Sequence, residues 1–364
     1  MQKTGIANLP LHPGKCPRWL FGRMVNLSRE ITNTILLEYD QEEFLKRIAD
    51  PYFFQAFGCT VGFDWHSSGL TTTLCGALKL AIDPQETGIK VSGGKRESKK
   101  TPTEIEQASE LFSLSTNNIE KLKYSSRMAA KVDTAVLQDN YSLYQHTFIF
   151  TERSQWVVVQ QGLNPQSKYA RRYHWLSDNI KSFVQEPHNA ICCDEKQDHC
   201  LDLTSNENKE TRAVSLDIIN DNPKHLEKYF TKQTLLTDFL KKPQAITLSH
   251  NHYIINMRKR DVETLKKAYD LQPKSYEELV SIKGVGPKTI RALALVSSLI
   301  YGSKLSWKDP TKYAFAHGGK DGIPYPVNRK LMDQTTSILK NAVYQAKLGE
   351  SDKLKAIRRL TDLY

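Results

Sequence analysis

A chain of 364 residues is long enough for about two or three domains with buried cores, and its six cysteines are too few to act as a disulfide scaffold. No uninterrupted apolar run approaches membrane-spanning length, and Met1 to Pro17, interrupted by Lys3 and Lys15, lacks the apolar core of a secretion signal. The expectation is a soluble, cytoplasmic protein with reduced thiols and no membrane partner. The net charge of +11 points to an acidic partner: residues 221 to 364 carry 26 Lys and Arg against 14 Asp and Glu, whereas residues 1 to 220 carry 25 against 26. The surplus is confined to the C-terminal part, as phosphate neutralisation would require; a well-solvated helical surface is the alternative.

In chain order, Leu20, Met24, Leu27, Ile31 and Ile35 recur at helical spacing, and Pro17 can begin that helix. A second helix is expected from Glu42 to Ile48, stopping near Asp50-Pro51. Phe57 to Thr73, FGCTVGFDWHSSGLTTT, then gathers Asp64, His66, Ser67, Ser68 and several threonines between glycines. Polar loops of this kind hold ligands or reacting groups, which makes Asp64 and His66 candidates for orienting a ligand or moving a proton. A capped turn ahead of a helix from Thr73 to Ile82 is the other reading. From Asp83 to Glu104 the composition turns to Gly, Pro, Lys, Ser and Glu, a surface loop or linker whose Gly93-Gly94-Lys95 lacks Walker spacing.

A helical passage from Thr103 to about Val136 gives way to Tyr144–Phe150 and Gln155–Gln161, two aromatic and β-branched runs separated by a turn, which predicts a β-hairpin. Between Gln160 and Ser177, Arg171, Arg172, His174 and Trp175 mix cations with aromatics. That mixture suits phosphates and base stacking; snorkelling arginines around a buried tryptophan would give the same pattern. Cys192, Cys193, His199 and Cys200, with His188 upstream, lack the second tight ligand pair of a structural zinc site. No metal is expected there, and a buried thiol pair beside a polar hairpin accounts for the cluster.

Beyond Pro223, Leu226–Leu240 and Asp261–Tyr269 are expected helices. Ser275 and Glu278 then form a capping box, Gly284 and Gly286 supply backbone freedom, and Pro287 fits the first turn of a helix carrying Ile290, Leu293, Val296 and Ile300 on one face. This is the helix-hairpin-helix pattern. Its hairpin N–H groups meet a helix N-terminus, a ready site for a phosphate oxygen, so Lys283, Gly284, Val285, Gly286 and Thr289 are the expected DNA contacts. Gly302 to Val327 has little periodicity, and its most polar piece contains His317, Lys320 and Asp321. Asn328 is a natural N-cap for a helix that Arg329 opens, and a last basic helix is expected from Asp352 towards Leu363.

Two resemblances follow from these motifs. Through LPLHPGKCPRWLF, GFDWHSSGLTTT, SSRMAAKVD, VVVQQGLN, YARRYHWLS and FAHGGKDGIPYPV, almost the whole chain resembles a mainly archaeal family catalogued as a domain of unknown function. From roughly Pro223 onward it is similar to the helix-hairpin-helix DNA glycosylase superfamily, in which a GVG-x-K hairpin supplies a lysine nucleophile and a later Val-Asp supplies a carboxylate. GVGPK puts Lys288 on that lysine, and PVNR puts Asn328 on that aspartate. An amide cannot offer negative charge to an oxocarbenium-like sugar. Either Asp309 or Asp321 stands in, or Asn328 marks a non-catalytic form. Iron–sulfur clusters in the family follow the catalytic aspartate and use four cysteines; no cysteine follows Cys200, so no cluster is expected.

The combined expectation is a mostly helical α+β protein: a helical region over 1–125, an α+β region with a β-hairpin over 126–220, and a basic helix-hairpin-helix domain over 221–364. Its expected activity is excision of an oxidised or deaminated base from double-stranded DNA in the nucleoid, with strand nicking through a Lys288 Schiff base. His252, His174, Trp175, Asp64 and His66 are candidates for a base pocket, and Arg171, Arg172, His317, Lys320 and Arg329 for further DNA contacts. One alternative is a nuclease in which Asp64, Asp133 or Asp139 binds magnesium; another is a non-catalytic DNA-binding protein. No cofactor is expected unless the nuclease reading holds.

Overall fold

The computed structural model describes residues 16–63, 67–97, 99–193, 197, 200–221, 259–311 and 329–361. The fold is α+β and mostly helical, as its sequence pattern predicts. Its middle layer is an antiparallel sheet in the order β1-β3-β4-β5-β6, made of β1 (Ile89–Lys95), β3 (Ser142–Thr151), β4 (Trp156–Leu163), β5 (Ala170–Leu176) and β6 (Ala190–Cys192). A short β2 (Leu137–Gln138) pairs separately with β7 (Leu201–Asp202). Helices cover both sheet faces, which is why β4 reads Trp-Val-Val-Val rather than alternating apolar with polar. Val157 and Val159 enter one core, Trp156 and Val158 the other.

The first core packs α1 (Arg18–Glu38), α2 (Gln41–Ala49), α3 (Pro51–Thr60) and α4 (Gly69–Ala81) against Val91, Ile149 and Val159. Phe54 and Phe57 are completely buried in it, and each such burial is worth roughly 1.5–3 kcal/mol. The second core packs α6 (Thr101–Phe112), α7 (Thr116–Lys131) and α8 (Lys209–Asn220) on the opposite face. It also holds α9 (Lys259–Leu271), α10 (Tyr276–Ser281) and α11 (Pro287–Tyr301). A short α5 (Pro84–Thr87) precedes β1, and a π-helical turn, Val132–Val136, ends α7.

Several expectations change. Asp50-Pro51 ends α2 but also starts α3: the Asp50 carboxyl accepts from the N–H groups of Tyr52 (2.7 Å) and Phe53 (3.0 Å), and Pro51 occupies the first turn. The expected linker contains β1, paired along β3 from Ile89–Thr151 to Lys95–Gln145. Residues 170–176, read only for their mixture of cations and aromatics, form the fully buried β5. The boundaries near 125 and 220 do not separate the cores. β1 pairs with β3 across the first, while α12 (Arg329–Gln345) and α13 (Glu350–Thr361) pack on α1 and α3 rather than on the hairpin.

Candidate nucleic-acid interface

The Gly-Val-Gly hairpin is built as its residues require. The Ser275 hydroxyl accepts from Glu278 N–H at 3.1 Å, and the Glu278 carboxyl reaches back to Lys274 N–H at 2.7 Å. Val285 is buried as the anchor of the turn, and its N–H donates to the Ile282 carbonyl at 3.2 Å. Gly284 holds φ +104°, and a Cβ there would stand 3.1 Å from Thr264 Oγ1, so a side chain is both strained and crowded. Gly286, the N-cap of α11, has no side chain to satisfy the first helical N–H groups, and Pro287 has none to offer. Lys288 and Thr289 N–H, in that first turn, lack intrahelical acceptors by position. They therefore form an anion-binding end, with Lys283 and Gly284 exposed beside it. Lys288 is half-buried and has no hydrogen-bond or ion-pair partner among the described residues; the Thr289 side chain is buried.

The hairpin is fastened to the sheet layer by contacts that carry no pattern in the sequence. Lys131 Nζ donates to the Ile282 carbonyl at 2.5 Å, and Tyr124 hydroxyl and Phe183 N–H both donate to the Glu277 carboxyl at 2.8 and 3.1 Å. Gln138 donates to the Pro287 carbonyl at 2.9 Å and accepts from Arg291 Nε at 2.5 Å. Burial, with a contribution from Arg127, lowers Lys131 to about 8. Only tertiary geometry identifies these residues, because they come from helices, a strand and a turn and share no local motif.

The residues expected on phosphates or bases from β5 prove to be interior. Arg171 is fully buried between Asp139 (3.0 Å) and Asp309 (2.5 Å), stacks over the Tyr141 ring, and touches Cys193 Sγ at 3.3 Å. Asp309, expected as a substitute catalytic carboxylate, also accepts from Gln197 N–H, Thr311 N–H and Thr311 Oγ1. Burial opposes its charge, but Arg171 and these donors together hold Asp309 below the usual carboxylate range. Asp139 is the opposite case: burial pushes it up, only partly offset by Arg171 and by the Tyr173 hydroxyl. Asp309 is therefore the more acidic of the two carboxyls that face Arg171.

Arg172 and His174 point to the other face, into the first core. Arg172 lies over Phe54 and donates to Gln55 (3.0 Å), Thr71 (3.3 Å) and His174 Nε2 (2.9 Å); burial lowers it to about 10, against the pull of nearby thiols. His174 Nε2 accepts that bond, so Nδ1 carries the proton donated to the Ile48 carbonyl, and burial beside Arg172 holds the ring well below the ordinary imidazole range. Trp175 sits on the face opposite His174 and donates to Asp133 at 3.0 Å. His174 and Trp175 thus share no base pocket, and neither arginine reaches a surface where a strand could lie.

Other candidates fall elsewhere. Asp64, His66, His252, His317, Lys320, Asp321 and Asn328, with His199, lie outside the described residues. Arg329 is exposed in the first turn of α12. Asp133 accepts from Gln160 (2.7 Å) and Trp175 and contacts His188, while Asp139 accepts from Arg171, Tyr173 and Tyr141 N–H. Of the carboxylates expected for magnesium, Asp133 and Asp139 thus already serve protein donors. All six cysteines are free thiols. Among the described residues no helix is long and apolar enough to cross a membrane.

Residues 5–327 match the family described as "Protein of unknown function (DUF763)". No curated protein and no solved structure matches the chain. The chain belongs to the DUF763 family.

Proposed function

We propose that this member of the DUF763 family is a nucleoid DNA-binding protein that holds a backbone phosphate of duplex DNA on the hairpin from Lys283 to Thr289. The observation that carries this reading is the open first turn of α11: free N–H groups behind two glycines, with an exposed Lys283 beside them. Residues 259–311, which build the hairpin and its helices, carry 10 Lys and Arg against 6 Asp and Glu, a local surplus that favours a phosphate. Fluorescence anisotropy with a labelled duplex tests it. Affinity should fall steeply between 50 and 200 mM salt, by roughly 10-fold or more per few phosphate contacts, and Lys283→Glu should flatten that slope by about one or more contacts. Salt-insensitive binding, or unchanged binding by Lys283→Glu, would refute the reading.

Excision of a damaged base is the second reading, and the unpartnered, half-buried Lys288 in that first turn favours it. In this chemistry the neutral amine attacks C1′ of the sugar and the base departs with the bonding pair and takes a proton from solvent; the C1′–O4′ bond then breaks, O4′ taking a proton from the attached nitrogen, and the ring-opened iminium can be reduced by borohydride. Asp309 is committed to Arg171 and is not the carboxylate of this step. Borohydride trapping on oligonucleotides carrying oxidised or deaminated bases should give an adduct that Lys288→Ala abolishes. Cleavage retained in that variant would exclude Lys288 as nucleophile.

A further inference from the structure

A second polar constellation, on the helix that fastens the hairpin, has the connectivity of an activated nucleophile. Ser126 Oγ on α7 lies 2.8 Å from His146 Nε2 on β3. His146 Nδ1 lies 2.8 Å from the Gln160 amide oxygen on β4, its directly paired neighbour. The Gln160 amide nitrogen donates to Asp133 Oδ2 at 2.7 Å, and that same oxygen accepts from the Trp175 indole. These contacts fix every proton. Gln160 must present its nitrogen to Asp133, so its oxygen faces His146; His146 Nδ1 is then the donor, and Nε2 is left to accept from the Ser126 hydroxyl. Asp133 itself belongs to the π-helical turn that ends α7, an irregularity common at functional sites.

The surroundings suit an anionic substrate. Ser126 and His146 form part of the floor of a cleft of about 850 Å³. Lys99, Lys121 and Arg127 stand exposed around it, whereas Lys123 is occupied by Glu106 and Glu120. One wall is aromatic, with Trp156 and Phe183 stacked at 6.1 Å and Tyr124 edge-on to Phe183. His146 and Arg127 also line a neighbouring cleft of about 500 Å³ that adds Arg96 and Lys131. Cations beside an aromatic wall match a phosphate beside a base. The cleft also adjoins the hairpin: Tyr124 and Phe183 bind Glu277 of α10, and Lys131, five residues or about 7.5 Å along the helix from Ser126, binds the hairpin turn.

We propose that Ser126, with His146 as general base and Gln160 as the residue that positions it, is a nucleophile for a nucleic-acid phosphodiester. This rests on the hairpin reading for its choice of substrate but not for its chemistry. Ser126 Oγ attacks phosphorus while its proton passes to His146 Nε2. The P–O bond to one sugar breaks, and the leaving oxygen takes the proton from the imidazolium, which yields a phosphoseryl end and a free hydroxyl. Water, deprotonated by the same nitrogen, or the returning hydroxyl releases the enzyme, so the cycle requires no oxidant or other co-reactant. Burial holds His146 below the ordinary imidazole range, against the pull of Gln160 and Asp133, so the ring is a neutral base at neutral pH.

Two probes test this on the full chain. A fluorophosphonate should add once, on Ser126, by intact mass and peptide mapping. The adduct should be absent in Ser126→Ala and at least 100-fold slower in His146→Ala, with both variants shown to melt like the native protein. Asp133→Asn, which keeps an acceptor for Gln160 and Trp175 but removes the negative charge that pulls His146 upward, should move the pH midpoint of labelling downward in a protein that melts like the native one, a change that a purely structural role would not cause. An oligonucleotide with a bridging phosphorothiolate, whose thiolate cannot return, should then accumulate a covalent adduct that survives Lys288→Ala and vanishes in Ser126→Ala. An unlabelled native protein, or equal labelling of Ser126→Ala, overturns the proposal. Labelling of Ser126 without an oligonucleotide adduct overturns the phosphodiester as its substrate. Labelling that persists while salt-sensitive duplex binding is absent would refute the hairpin reading instead.

Discussion

The Arg171–Asp309 pair offers a quantitative check because its two partners can be removed singly and together. The Nη2 to Oδ2 distance is 2.5 Å, and both side chains are almost completely buried. Opposite unit charges about 4 Å apart attract by about 4 kcal/mol at an effective dielectric of about 20, and breaking a buried pair by removing one member typically costs about 3–5 kcal/mol. Asp309→Asn keeps the shape and an acceptor for Thr311, so its cost is that of the charge together with the acceptor shared by Arg171 and the Gln197 N–H. For a chain of 364 residues the unfolding entropy is about 0.76 kcal/mol/K, taking about 2.1 cal/mol/K per residue, so the melting temperature should fall by about 4–7 °C. Arg171→Met leaves two acidic groups facing each other and should cost at least as much. The double variant should recover at least about 1 kcal/mol relative to the sum of the singles. Chemical denaturation of the four proteins at pH 7 measures this cycle. Additive singles, or an Asp309→Asn cost below about 0.5 kcal/mol, would refute the assignment of Asp309 to structure.

Three further outcomes are expected. Burial raises Asp50 to about 6 from 3.8, against its bonds from the α3 N-terminus; the folded state therefore binds this proton more tightly, and stability falls as pH rises from about 4 to 6. Asp50→Asn removes that loss of up to about 3 kcal/mol, so urea midpoints should agree at pH 4 and favour the variant at pH 8; equal midpoints at pH 8 would contradict this. Gly93→Ala should cost about 2–5 kcal/mol, because φ is +81° and the new Cβ would lie 2.3 Å from the His146 carbonyl oxygen; a thermal melt unchanged from the native protein would count against that packing. Lys131→Met should cost about 1–3 kcal/mol and speed amide exchange at Val285, since both Lys131 Nζ and Val285 N–H donate to the Ile282 carbonyl; unaltered exchange would show the hairpin stands without that tether.

Periodicity made α1, the β3–β4 hairpin and the helix-hairpin-helix legible, because each follows a local rule: apolar spacing, β-branched runs, or glycines flanking a capped helix. The sites that required tertiary information were misread or missed. In β5, Arg171 and Arg172 have the composition of a nucleic-acid patch, yet alternation sends them to opposite faces of a sheet covered on both sides, where Asp139, Asp309, Gln55 and Thr71 receive them. β1 contains Gly93-Gly94 and reads as a loop; its glycine is needed because the His146 carbonyl leaves no room for a Cβ. Pro51 was legible as a stop but not as a start, since the same Asp-Pro pair serves both. Ser126, His146 and Gln160 carry no common motif, because they come from a helix and two strands and meet only through the sheet register.

The claim on which the account turns is that the open first turn of α11 holds a DNA phosphate. Duplex affinity measured from 50 to 200 mM salt for the native protein and for Gly284→Val, with folding verified by melting, tests it most directly. A steep salt slope that Gly284→Val flattens, with affinity reduced at least about 10-fold, is the predicted result. A folded Gly284→Val that binds duplex with the native affinity and slope would contradict it.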